Sequence, residues 1–230
     1  MGMNFTTNPG FESRLSAWAS HVKKTKVERP IVTISREFGC EAYPVAKLLS
    51  ERFNKVGEEE WIIVDRKLLD TIAERSGYRT EEVKHVGDVN GIFQNMLQMF
   101  FGKEGPEQYE VFKYLHKAIL ETAKGGNCIL VGQGSVVLTK DFPRACHIRL
   151  VAPMGFRVKN TMKNFDMSEE EATKYVENNS YERDDYIRKF AGASVSDPTL
   201  YHLVINNEKN TPEQIADMIG HFMDTRIWPE

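Results

Sequence analysis

Five short apolar runs, at 31–34, 61–64, 128–131, 147–151 and 203–205, constrain this chain more than anything else in it. Each is near-continuous instead of alternating, which is how a strand buried on both faces reads. Segments of helical period separate them. Strands alternating with helices require long crossovers, and such crossovers produce a parallel sheet with right-handed connections. The pattern therefore predicts an α/β domain with helices on both sides of its sheet.

Composition agrees with a single folded domain. The 230 residues are 41% hydrophobic and 27% charged, enough for a sizeable core under an ordinary polar surface. A net charge of -3 argues against a general nucleic-acid binder, which needs a basic excess to displace counterions from phosphates. The three cysteines, Cys40, Cys128 and Cys146, are odd in number and match no zinc spacing. They point to a reducing compartment, and Cys128 and Cys146 read as small core residues. No run of 18 apolar residues occurs and the N-terminus lacks the apolar region of a signal peptide, so the expected location is the cytoplasm, with no membrane contact.

Helix signals fill the intervals. Thr211 before Pro212, with Gln214 three positions on, is an N-terminal capping arrangement, followed by a core stripe of Ile215, Met218, Ile219 and Phe222. Ser168 with Glu171 opens a long charged helix to about residue 190. Tyr109, Phe112, His116, Ile119 and Ala123 share one face of another helix, stopped by Gly125 and Gly126, and His116 reads as a packing histidine in preference to a ligand. Residues 1–28 form an N-terminal extension whose Phe11, Leu15, Trp18 and Val22 make a helical stripe. The apolar stretch at 89–101 must be buried, by core packing or by a homodimer contact.

The segment after the first strand is the chemical focus. A strand ending near Ile34, a loop from Ser35 to about Ala42, and a helix beginning around Tyr43 and Pro44 form the arrangement that binds phosphate. The first amides of the helix lack partners, and its dipole places about +0.5 charge there. The standard loop G-x-x-x-x-G-K-S/T is absent, however, and the one Gly-Lys pair, at 102–103, follows an apolar helical stretch instead of a strand. On pattern alone, both a phosphate site and an ordinary strand–loop–helix remain open.

Residues 33–39, TISREFG, resemble the opening of the cytidylate-kinase-like family, a branch of the P-loop nucleoside monophosphate kinases. That branch commonly reads ISREYGSGGREIA, and one subgroup reads close to REFGCEGYPLA. The likeness continues in order: VDRKLL at 64–69 is similar to YDKELI, and ILVGQG at 129–134 to IVGRG. RLVAPMGFR at 149–157 is similar to VFIYAPLEYRV, Arg183 and Arg188 resemble the arginine-bearing lid, and DP at 197–198 with YHLVIN at 201–206 resembles the closing motif. The match spans about residues 30–225. It implies a three-layer P-loop NTPase-like fold: a five-stranded parallel sheet, helices on both faces and a helical lid at about 165–192, within a kinase-like domain from 29 to 230. It also implies ATP and Mg²⁺ as cofactors and nucleotides as partners, with CMP or dCMP the default acceptor. Ser35, Arg36, Glu37, Phe38, Gly39, Cys40, Glu41, Ala42 and Tyr43 would hold the donor, Arg36, Arg183 and Arg188 would act on the transferred group, and Asp65, Gln133 and Arg157 would face the acceptor. No residue is assigned as a metal ligand.

The residues themselves leave a plainer reading beside several of these roles. Arg183 and Arg188 are five apart, about 500° around a helix, so both reach one phosphate only if the helix breaks or moves; otherwise they belong to a solvated charged face. Arg157 could be a surface ion pair and Asp65 a helix N-cap. Ala42 stands where the subgroup has Gly, Glu41 precedes it, and Gln133 stands where the family has Arg. A Cβ in the loop limits backbone approach to phosphate, and Gln brings no charge. A catalytically impaired nucleotide- or anion-binding protein that kept the fold is therefore the alternative to an active kinase.

Overall fold

In a computed structural model, residues 29–56, 59–65 and 106–227 are described. The N-terminal stripe at 11–24 and the apolar stretch at 89–101 lie outside them. The strands are β1 (Ile31–Arg36), β2 (Ile62–Val64), β3 (Cys128–Val131), β4 (Ala145–Val151) and β5 (Leu203–Asn206). They pair in parallel in the order β2-β3-β1-β4-β5. The expected runs are thus the strands, with β1 extended to Arg36 and β4 starting two residues earlier. Trp61 is not in the strand. Its amide donates to Asn54 Oδ1 (2.7 Å) and its ring packs on Phe53 in the core.

The helices are α1 (Ala42–Val56), α2 (Pro106–Gly125), the single turn α3 (Ser135–Leu138), α4 (Met154–Phe165), α5 (Glu169–Ala191) and α6 (Pro212–Phe222). Both expected capping boxes form, Ser168 with Glu171 and Thr211 with Gln214. Each satisfies two of the amides that a helix start leaves without partners. One face of the sheet buries Val32, Ile34, Ile148 and Leu150 against Val45 and Leu49 of α1 and Ile215 and Ile219 of α6. The other buries Ile31, Cys128 and Leu130 against Ile119 and Ala123 of α2. The molecule is therefore a three-layer α/β domain. Met218 departs from the expected stripe: it is exposed, and Ala216 and Met223 are buried in its place. On the outer side of α6, Arg52 of α1 pairs with Asp217 (3.3 Å) and with Asp224 just beyond the helix (2.9 Å).

Buried polar groups cross the second face. Thr33 Oγ1 lies 2.8 Å from His147 Nδ1, and the His147 amide donates to His202 Nδ1 (3.0 Å). Burial first, then His202, push the His147 imidazole down to about 4; burial pushes His116, half-buried on α2, the same way. A base depressed in the folded protein binds its proton more readily in the unfolded chain, so folded stability falls as pH drops from about 6.5 toward 4. The melting temperature should decrease across that window, and His147→Asn, which keeps an acceptor for Thr33 but cannot charge, should make the decrease smaller. An equal decrease in both proteins would assign the acid sensitivity to other groups.

Candidate functional site

Strand β1 pairs with β3 on one side and β4 on the other; the chain leaves β1 toward β2 at one edge, and from β3 it crosses β1 to β4 on the other side. Ligands of open α/β sheets bind beyond the carboxyl ends of the strands at such a divergence. Ser35 and Arg36 are the last two residues of β1 and sit there. Arg36 was expected in the loop; it is instead the end of the strand, and the loop is only residues 37–41. The Arg36 guanidinium lies across Gly132, where a Cβ would overlap it. Burial lowers its pKa most, and Asp65, at the end of β2, opposes that shift.

A small pocket opens at this point. Ser35, Arg36, Gln133, Ser135, Arg183 and Val195 are among its lining residues. Gln133 lies between Gly132 and Gly134, and all three have positive φ, at 74, 59 and 67°. The left-handed region costs a residue with a Cβ about 1 kcal/mol or more, so the turn after β3 stores strain at the pocket edge, a common property of binding sites.

Helix α5 is unbroken, which decides between its two arginines. Arg183 points inward and its Nη1 donates to the Arg36 carbonyl oxygen (3.1 Å). Arg188 is exposed on the outside, so the structure does not bring it to the pocket. Arg183 is held in place by Phe38 at the loop tip, whose ring lies 5.5 Å below its guanidinium carbon. Phe38 in turn packs on Tyr175 of α5 (5.4 Å) and Phe165 of α4 (6.5 Å). Burial, then Arg36, lowers the Arg183 pKa, with Arg149 adding to the effect. Guanidinium groups remain charged in proteins, so the lowered values express a cost: neighbouring cations share a desolvated corner that an anion would relieve.

The loop itself does less than expected. The Glu37 amide donates to the Leu150 carbonyl (3.0 Å), that of Cys40 to the Glu37 carbonyl (3.2 Å), and that of Glu41 to Asn207 Oδ1 (2.7 Å). Three amides expected to face phosphate therefore have protein acceptors. Among the described residues, Gly39 and Ala42 amides have none. The Ala42 methyl is turned into the core and Tyr43 is 56% exposed, so neither fills the turn. Gly39 is required: its φ is +91°, and a Cβ would come within 2.6 Å of the Arg157 carbonyl oxygen. Arg157 is internal bracing. Its Nε donates to the Ala152 carbonyl (3.0 Å) and lies 3.6 Å from Glu37 Oε2, while Nη1 reaches Ser180 Oγ (3.4 Å). Glu37 also accepts from the Ala152 amide (3.0 Å). Burial, then Glu37, push the Cys40 thiol up to about 12, so it is no nucleophile.

Sequence reading missed Arg149, a buried cation in the middle of β4, and the bracing side chains Asn160 and Asn207. A charged residue inside an otherwise apolar strand was the available signal for Arg149; nothing marked the asparagines. Among the described residues no group of three His, Cys, Asp or Glu could hold a metal ion, and no helix is long and apolar enough to cross a membrane.

Gly132→Ala should displace the Arg36 guanidinium and strain a left-handed backbone. We expect a loss of about 1–2 kcal/mol in stability together with loss of the thermal shift produced by pyrophosphate. A variant that keeps that shift would remove Arg36 from the anion site.

Comparison with known proteins bears on the family and the fold. The sequence model of the cytidylate kinase-like family matches residues 31–209. A cytidylate kinase of Pyrococcus horikoshii is 29% identical over 129 residues, covering 51% of this chain. The chain spans 65% of the length of that curated relative. An uncharacterized protein from Eubacterium ventriosum superposes with a TM-score of 0.65 over 86% of this chain and 99% of its own, at 21% identity, and so shares the fold.

Proposed function

The chain belongs to the cytidylate kinase-like family, and from that premise we propose that it transfers a phosphoryl group from ATP to a nucleoside monophosphate, CMP or dCMP by default. The observation that carries the reading is the meeting of Arg36 and Arg183 over one pocket at the end of β1. Buried cations without full compensation are costly. They make sense where charged oxygens arrive and where charge develops on a transferred group.

The residues lining the pocket fit a phosphate group: the guanidinium groups of Arg36 and Arg183, and the Ser35 hydroxyl. Magnesium draws most of its ligands from phosphates and water, with one or two carboxylates, and needs no dedicated cage. Bound together with the donor nucleotide, it would supply positive charge to offset that of the phosphates. The protein's own part is positioning. Arg36, fixed across Gly132 and opposed by Asp65, supplies a stationary positive charge. Arg183, clamped by Phe38, lines the same pocket beside it. The acceptor phosphate is itself the nucleophile, so no strong general base is required. In this reading Asp65 and Gln133, on the β2 and β3 side, contact the acceptor, and Arg157 acts indirectly by holding the loop.

One observation favours the second reading, a nucleotide-binding protein with little turnover: the three loop amides already bonded within the protein. The readings separate by measuring ADP formation from ATP and Mg²⁺ with a panel of nucleoside monophosphates, alongside thermal shifts. Saturating ligand at about 100 times its Kd adds about 2.7 kcal/mol. ADP formation supports the kinase; a shift with ATP and no ADP from any acceptor supports the binding protein; no shift with any nucleotide rejects both. In the active protein, Arg183→Lys should lower turnover by about 10²–10³. Arg188→Ala should leave it within about twofold, as for an exposed surface charge. Equal losses would restore the expectation that both arginines act.

A further inference from the structure

Arg149 is the most unusual residue in the core. It lies in the middle of β4, is 6% exposed, and has apolar neighbours along its own strand in Ile148 and Leu150. Among the described residues no carboxylate lies within ion-pair distance of it, and its partners are neutral oxygens. Its Nη1 donates to Ser35 Oγ (3.2 Å) and reaches Tyr201 Oη (3.5 Å), with the guanidinium 5.7 Å from the Tyr201 ring centre. Tyr201 Oη donates to the Val195 carbonyl (2.7 Å). Ser35 and Val195 both line the pocket, one in its floor and one in its wall.

We propose that Arg149 is a positioning residue of the anion site that acts through Ser35. The register of the sheet places Ser35 and Arg149 side by side on one face of β1 and β4. A hydroxyl has one proton and accepts through its lone pairs. With a lone pair of Ser35 Oγ engaged by the guanidinium, the Ser35 proton is directed away from Arg149, toward the pocket. Among the described residues it has no acceptor. Charge assistance from Arg149 polarises that O–H toward a ligand oxygen. The same guanidinium, through Tyr201, fixes the wall that carries Val195. The ligand this arrangement takes is an oxyanion of the phosphate class. Its identity as a transferred phosphoryl group rests on the kinase reading, whereas the anion site does not.

The test is a double-mutant cycle in pyrophosphate affinity, measured by calorimetry at constant ionic strength on the full chain. Arg149→Met should weaken binding about tenfold or more, the scale of a hydrogen bond to a charged group. Ser35→Ala should weaken it by a smaller factor, and the double variant should bind no worse than Arg149→Met alone, because the serine acts only while the guanidinium orients it. Arg149→Lys keeps the charge but not the planar fork and should fail to restore affinity. Should Arg149→Met not fold, Arg149→Lys combined with Ser35→Ala completes the same cycle. Additive losses, full affinity in Arg149→Lys, or no pyrophosphate binding by the native protein would each overturn the proposal. An intact cycle in a protein that forms no ADP would reject the kinase reading and leave this one standing.

Discussion

Strand β1 is hydrogen-bonded along both edges, to β3 and to β4, and its first four residues are buried. A strand so confined cannot slide or tilt without breaking two ladders, and a one-residue slip would swap the side chains of its two faces, moving Ile34 from the α1 and α6 layer to the α2 layer. Everything at the site is referenced to it. Ser35 and Arg36 project beyond the apolar region because the strand continues past Ile34, with Glu37 still bonded to Leu150. The turn after β3 is fixed to it as well, since the Gly132 amide donates to the Ile34 carbonyl (3.0 Å).

In the proposed site, that rigidity lets side chains take over a task that a phosphate loop usually gives to backbone amides. Here the loop is braced from outside. Asn160 holds the Gly39 carbonyl, Asn207 holds the Glu41 amide, and Arg157 with Glu37 fixes the loop to the start of α4. Few amides are left for a ligand, and the positive potential comes from Arg36, Arg183 and Arg149 instead. Cations desolvated together raise one another's cost. The cost is tolerable because the scaffold is stiff and the site opens to solvent, where an anion can enter. Phe38 couples the two halves: it is the tip of the loop and also the aromatic floor under Arg183. Loop and helical arm thus form one packed unit.

Much of this was legible in the residues. Strand positions follow from uninterrupted apolar runs, since only a sheet covered on both faces hides such runs. Both capping boxes follow from side-chain chemistry within four residues. The inward choice between Arg183 and Arg188 was not legible. Helical spacing says that the two face different ways, but which one faces in depends on how α5 docks on α4 and on Phe38. Arg157 and Arg149 were misjudged or passed over for a related reason. A guanidinium reaches far from its Cα, and its partners, Ala152, Ser180, Ser35 and Tyr201, are up to 52 residues away or 114 in the case of Ser35.

The sequence by itself determined the layered α/β architecture, the strand positions to within one or two residues, and the two capped helix starts. These depend on hydrophobic period, on caps and on backbone freedom, all of which act over a few neighbouring residues. Only the tertiary structure decided which cations converge, which amides remain for a ligand, and that Ser35 is backed by a buried arginine. Those outcomes depend on the register between strands distant in the chain and on long side chains competing for the same acceptors, and no local pattern encodes that competition.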